Sequence, residues 1–190
     1  MAEKRTVVVD ERKDGLAIQD LILIAVLIAA GAVLKLTVSS FLTFAGMKPN
    51  FMIAMYCIAI ILTRPNLIQS VCIGLLVGLV SQIPLLNATP LVNFASELVG
   101  AVVCCLLVTI FSRVASRNSL IQNVAFPAVI TFVSTIFSGY TFAMIVGVTV
   151  SGLEPMAVFG VYAVMVLGTA AMNCVVAAIL VPVLRKVLKK

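Results

Sequence analysis

The sequence predicts an all-α integral membrane protein with six transmembrane helices and both termini in the cytoplasm. Three observations carry this expectation. Hydrophobic residues make up 63% of the chain and charged residues 11%, against about 25% charged in a typical soluble domain. A water-soluble fold of this size would have too little polar surface to cover such a core. The apolar residues also fall into six runs, and the basic residues gather at alternate ends of those runs.

Residues 1–20 mix acids with bases and read as a polar cytoplasmic tail ahead of a membrane domain spanning 21–190. The first run, 21–38, is interrupted by Lys35 alone and is followed by no small-residue cleavage site, so it reads as a retained anchor rather than a cleaved signal. The remaining runs are 51–63, 66–83, 91–111, 120–150 and 156–184. Breakers and polar groups separate them: Gly46 to Asn50, Arg64 to Asn66, Pro84 to Pro90, Ser112 to Ser119, and Ser151 to Pro155. Backbone groups in lipid must bond within their own segment, which selects helices. The period-two alternation of a transmembrane barrel is absent.

Orientation follows from the basic residues. With the N-terminus inside, Lys4, Arg5, Arg12, Lys13, Arg64, Arg113, Arg117, Arg185, Lys186, Lys189 and Lys190 all lie on the cytoplasmic side. Lys48 is left outside and Lys35 within a span. Every loop is short, the case in which the positive-inside rule is most dependable. The net charge of +6 therefore suits an anionic membrane surface, and the placement argues against nucleic acid as a partner. The five cysteines (Cys57, Cys72, Cys104, Cys105, Cys174) sit inside apolar runs with no CxxC and no histidine anywhere, so they read as small core residues and no metal site is expected.

The second run is short for a bilayer core of about 30 Å. The preceding segment GMKPN (46–50) is then expected to dip below the outer surface and to wall a pocket, since irregular backbone at that depth must be buried in protein or line a cavity. Local thinning of the bilayer is the competing explanation.

Lys35 and Glu97 are the charges placed inside spans. Helical rise puts Lys35 roughly 20 Å above the inner boundary and Glu97 roughly 10 Å below the outer one, in the same half of the bilayer. A charge there costs several kcal/mol unless it meets a partner or a wet cavity. The pair is open to three readings: a structural ion pair, two flanks of a ligand carrying opposite charges, or a proton-coupling carboxylate at Glu97. Asn93 lies one turn before Glu97 on the same face, and Tyr140 is expected at similar depth on the fifth span. Small residues form two stripes, Ala25, Ala29 and Ala32 on the first helix and Ser70, Gly74 and Gly78 on the third. Such faces serve internal packing or the docking of another membrane subunit. No phosphate-binding loop, no histidine and no paired carboxylates occur, which argues against an enzyme.

The segment GMKPN followed by FMIAMYCIAIIL resembles the loop and second helix of the bacterial TrpP tryptophan-transport family. Further likeness runs through LIAAGAVL in the first helix, IGLLVGLVS (73–81), STIFSG (134–139) and AAMNCVVAAILVPV (170–183). Two positions depart from the pattern: Asn50 stands where the family usually has an acid, and Asn93 to Glu97 replace an Asn-x-x-Asp-Lys-like motif. The resemblance implies a bundle like that of the substrate-binding S components of energy-coupling-factor (ECF) transporters, in a bacterial cell membrane. It implies binding of tryptophan or a related aromatic solute from outside, and partnership with a transmembrane T component and two ABC-type ATPases. ATP would be used by those partners, with no cofactor held by this chain. Glu97 would pair with the ligand ammonium, Lys48 or Lys35 with its carboxylate, and Gly46, Met47 and Tyr140 would contact the ring, with Asn50 and Asn93 nearby. The alanine stripe would be the docking face. Asn173 also matches the family, and its estimated depth gives it a structural role. An S component for a vitamin or nucleobase-like solute, a proton-coupled carrier acting through Glu97, and a scaffold without substrate are the alternatives.

Overall fold

The computed structural model of the chain describes residues 15–42, 48–83, 86, 89–113 and 119–189, and everything structural below concerns these residues. Among them every regular element is helical. Helix α1 spans Ile18–Phe41, α2 Met52–Thr63, α3 Leu67–Val80 and α4 Val92–Arg113. A single π-helical stretch, Ile121–Ala125, leads into α5 (Phe126–Thr149), followed by the short α6 (Pro155–Val161) and by α7 (Ala163–Leu188). Helix α1, α4, the continuous stretch Ile121–Thr149 and α7 are each long and apolar enough to cross a bilayer; α2 and α3 are shorter apolar helices.

Helix α2 is the axis of the bundle. Every residue from Met52 to Leu62 is buried, and α1, α3, α4, α5 and α7 all pack on it. A helix apolar all round has no face to turn outward, so it settles where neighbours cover every side. At about 18 Å by helical rise, it ends at Arg64, whose left-handed backbone (φ 48°) lets its N–H reach the Ile60 carbonyl before Pro65 stops the helix. Asn66 then starts α3 with a capping box: its side chain accepts from Gln69 N at 2.8 Å, and the Gln69 side chain accepts from Asn66 N at 2.9 Å.

Around this axis α3, α4, α5 and α7 pack in succession. The small stripe of α3 is an internal seam. A Cβ on Gly74 would come within 3.0 Å of the Glu97 carbonyl and Ala101 Cβ, and one on Gly78 within 2.8 Å of the Phe94 ring. The stripe of α1 has the opposite fate: Ala25 and Ala29 are exposed and Ala32 is half-buried, while Ile24, Leu27, Ile28, Gly31, Lys35 and Ser39 turn inward. Of the cysteines, Cys57, Cys104 and Cys105 are buried as expected, but Cys72 faces outward and Cys174 is half-buried.

Two local departures from the expected elements have plain causes. The run expected as one helix over 156–184 is broken at Tyr162 (φ −94°, ψ 0°), where the chain leaves α6 and starts α7. Val158 and Tyr162 pack into the notch left by Gly147, where a Cβ would lie 2.8 Å from Val158. The π-helical stretch precedes Pro127, which has no N–H to give. Phe126 N–H reaches back to the Ile121 carbonyl, and in this wide register the donor owed to Gln122 would be Pro127. Arg185 supplies the missing donor, with Nη1 bonded to the Gln122 carbonyl at 3.1 Å and to Asn123 Oδ1 at 2.6 Å.

Candidate functional site: a charged and hydroxyl-lined interior

The buried face of α4 carries Asn93, Ser96, Glu97, Gly100, Ala101, Cys104 and Cys105 at helical spacing. Its N-terminal half is thus polar and its C-terminal half small and apolar. Facing it, α5 buries Thr131, Ser134, Thr135 and Ser138 on one stripe, and α7 buries Thr169 and Asn173. A helix of this apolarity normally turns aliphatic side chains inward. Here a polar patch is set within an apolar core, and much of the outward surface is Leu, Ile, Val and Phe, an arrangement suited to lipid outside and a polar solute within.

Asn50 ties together the end of this interior that holds Glu97. Its Nδ2 donates to Glu97 Oε1 at 2.5 Å, its Oδ1 accepts from Met52 N at the start of α2, and its carbonyl accepts from Asn173 Nδ2 at 3.0 Å. Asn173 also donates to Thr135 Oγ1 at 3.3 Å. Next to it the buried Pro49 carbonyl accepts from Ser39 Oγ of α1 at 2.7 Å. The end of the GMKPN segment therefore lies inside the protein, tied to α1, α4 and α7, as expected of a segment that must bury its polar backbone.

Glu97 is fully buried, and its Oε2 has no hydrogen-bond partner among the described residues. Lys35 is 3% exposed, and its Nζ makes no hydrogen bond to any of them either. The two charges lie within electrostatic range of each other. The Tyr56 hydroxyl, buried beside Glu97 and Ser138, makes no well-formed hydrogen bond. It sits against Gly100, where a Cβ would fall 2.0 Å from the phenol oxygen. Thr131 Oγ1, Ser134 Oγ, Thr169 Oγ1 and Asn173 Oδ1 are likewise buried and unpaired. Each such group costs about 1–3 kcal/mol and the charged ones more. These unpaired groups on facing helices make this interior the candidate site.

The predicted site residues divide accordingly. Asn50 is bonded to Glu97, Lys35 lies within electrostatic range of that carboxylate, and Asn93 is buried one turn before Glu97 with Nδ2 donating to the Pro90 carbonyl at 3.2 Å. Lys48 is exposed. Gly46 and Met47 lie outside the described residues. Tyr140 stands apart: it is two positions past Ser138 and so turned to another face, its ring packs tilted against Phe159 with centroids 5.1 Å apart, and its hydroxyl donates to the Phe159 carbonyl at 3.4 Å. The depth expected of Asn173 was counted from residue 156. Because α7 begins at Ala163, Asn173 is only about 15 Å along it and meets Asn50 directly. Tyr56, the α5 hydroxyls and Thr169 carry no charge that marks them in the sequence. The four hydroxyls at i, i+3, i+4 and i+7 on α5 were the signal that could have found them.

Apolar helices enclosing a buried, charged interior are the build of a multi-pass membrane transporter. The chain belongs to the TrpP family, matching the family described as "Tryptophan transporter TrpP" over residues 17–189. That family is one of transporters and not of enzymes, so a small-molecule substrate and a membrane setting come with membership. No curated protein and no solved structure gives a significant match.

Proposed function

We propose that this chain is the substrate-binding subunit of an ECF-type importer, taking tryptophan or a related aromatic amino acid from outside, with six spans and both termini in the cytoplasm. The observation that carries the binding role is the trio Lys35, Asn50 and Glu97: two buried charges of opposite sign, each with an unpaired polar atom, and an amide holding one of them in place. An α-amino acid brings the complementary pair. Its ammonium suits Glu97 Oε2 and its carboxylate suits Lys35 Nζ, which the burial of Lys35 favours over the exposed Lys48. Membership of the TrpP family supports tryptophan as the solute. The lack of a phosphate-binding loop supports reliance on partner ATPases, and the outward alanines of α1 offer a T component a smooth face.

The binding experiment is unusually clean, because the chain contains no tryptophan. Indole fluorescence in a titration of purified protein comes from the ligand alone. Saturable binding of tryptophan, lost in Glu97→Gln and Lys35→Met, is the expected result. Tight binding of a vitamin or nucleobase with no response to tryptophan overturns the substrate. Uptake that survives loss of the ATPases but collapses with the pH gradient overturns the ECF coupling in favour of a proton-coupled carrier.

A further inference from the structure

Three turns along α4 from Glu97, a second polar feature lies at the opposite end of the bundle. A pocket of about 80 Å³ opens there, with Arg64, Arg185, Ser112 and Gln122 around it and Phe111 and Phe126 among its apolar walls. By the same measure a single water needs roughly 10–15 Å³, so the pocket has room for a group of several heavy atoms. The left-handed turn at the end of α2 fixes the backbone of the exposed Arg64, and the carbonyl that Pro127 leaves without a donor holds the guanidinium of Arg185. The two arginines lie within electrostatic range of each other, yet none of the ten lining residues is acidic. The acids among the described residues lie elsewhere. Glu97 is in the charged interior, Glu154 stands at the N-terminus of α6, and Asp20 accepts from Ala17 N at the start of α1.

Two like charges converging on one pocket call for an anion between them, and guanidinium groups match phosphate oxygens in geometry. We propose that this pocket binds the phosphate headgroup of an anionic phospholipid. A lipid is favoured over a free phosphate ester by the surroundings: exposed Leu106, Val129 and Val183 lie within two residues of the lining residues Val108, Pro127 and Arg185, each toward the middle of its helix, and give acyl chains an apolar surface running from the pocket into the bilayer. Basic pockets between membrane helices are established headgroup sites in general. The bound lipid would bridge α2, α4, α5 and α7 at this end, as Asn50 bridges α2, α4 and α7 at the other.

The test is lipid retention by the purified full chain, released from mixed phosphatidylglycerol and phosphatidylcholine bilayers and weighed by native mass spectrometry. One phosphatidylglycerol should be retained in preference to phosphatidylcholine. Arg64→Asn, which keeps a residue tolerant of the left-handed turn, should cut that preference about fivefold. Arg185→Gln should do the same, although it also strips the Gln122 carbonyl, so Arg64→Asn carries the decision. Glycerol 3-phosphate should not displace the lipid. Equal retention of both lipids, or an unchanged preference in Arg64→Asn, overturns the site. Displacement by glycerol 3-phosphate overturns the lipid as its occupant. A pocket that instead retains an acidic protein partner and no lipid overturns it as well.

Discussion

Gly100→Ala is the sharpest perturbation of the interior, because the contact it creates can be read off directly. The new Cβ would lie 2.0 Å from the Tyr56 hydroxyl oxygen, 3.2 Å from its ring Cζ and 2.9 Å from Ser138 Cβ. The hydroxyl must move by more than 1 Å to regain van der Waals distance (about 3.3 Å for carbon and oxygen). Both Tyr56 and Ser138 are buried, so the movement presses on α2 and α5 together. Overpacking of this kind costs about 1–3 kcal/mol, against about 0.5–1 kcal/mol that alanine returns as the better helix former. At the middle of both ranges the net loss is about 1 kcal/mol, which corresponds to roughly 2–4 °C in Tm for a chain of this length. Tyr56→Phe should be neutral or slightly stabilising by itself, since it deletes a buried hydroxyl that lacks a good partner. In the double variant the 2.0 Å clash is gone and only the milder contacts with Cζ and Ser138 remain, so most of the lost Tm should return. Thermal melts of the four proteins in one detergent close the cycle. A Gly100→Ala protein that melts with the parent, or a double variant as unstable as the single one, would refute the placement of Tyr56 in the Gly100 notch.

Three further outcomes are expected. Glu97→Gln keeps an oxygen able to accept from Asn50 but removes the charge; tryptophan affinity, measured by ligand fluorescence, should fall at least about tenfold, while Lys48→Ala should stay within about twofold. Asn173→Ala strips the donor from the Asn50 carbonyl and from Thr135, so its melt should drop by about 1–3 kcal/mol, and Thr135→Val, which leaves the bond to Asn50, should cost less. Bulk on the two small stripes should act differently: Gly74→Leu should destabilise the isolated chain, whereas Ala29→Leu should leave its melt and tryptophan binding unchanged and weaken only co-purification with a T component.

Much of the fold was legible because apolar run length and breakers are local signals. Arg64-Pro65-Asn66 stops one helix and caps the next, and the structure reproduces both within a residue or two. The break at Tyr162 was not legible. It lies in an apolar run and depends on the Gly147 notch in another helix. The same limit applies to the site. Lys35 and Glu97 announced themselves by charge in an apolar context, and their juxtaposition followed from depth alone. Depth does not give azimuth, however, which is why Tyr140 was expected in the interior and instead packs on Phe159. Hydroxyls are easily discounted for another reason: in a membrane helix serine and threonine can satisfy themselves on the preceding turn, as Thr135 does on the Thr131 carbonyl. Only the packed structure separates those from Ser134 and Thr131, whose hydroxyls stay unpaired.

In the proposed importer, the placement of α1 bears on how binding and energy input would be joined. Its main packing partner is α2, so it is the least tied of the long helices. It nevertheless carries Lys35 and Ser39 on its inner face and exposed Ala25 and Ala29 on the outer one. Gly31 lets it approach α2 so closely that a Cβ there would meet Met52 Cα and Met55 at 3.1 Å. A helix moves as a unit over these few turns, so a subunit seated on the alanines and a solute engaged by Lys35 bear on the same rigid element. Through the Ser39 bond to the Pro49 carbonyl the helix also holds the segment leading to Asn50 and thence Glu97. A shift of α1 of an ångström or two relative to α2 would therefore withdraw Lys35 and pull on the Asn50 brace together. In the proposed importer a partner needs no contact with the solute to release it, because the helix it would grip already forms one wall of the site.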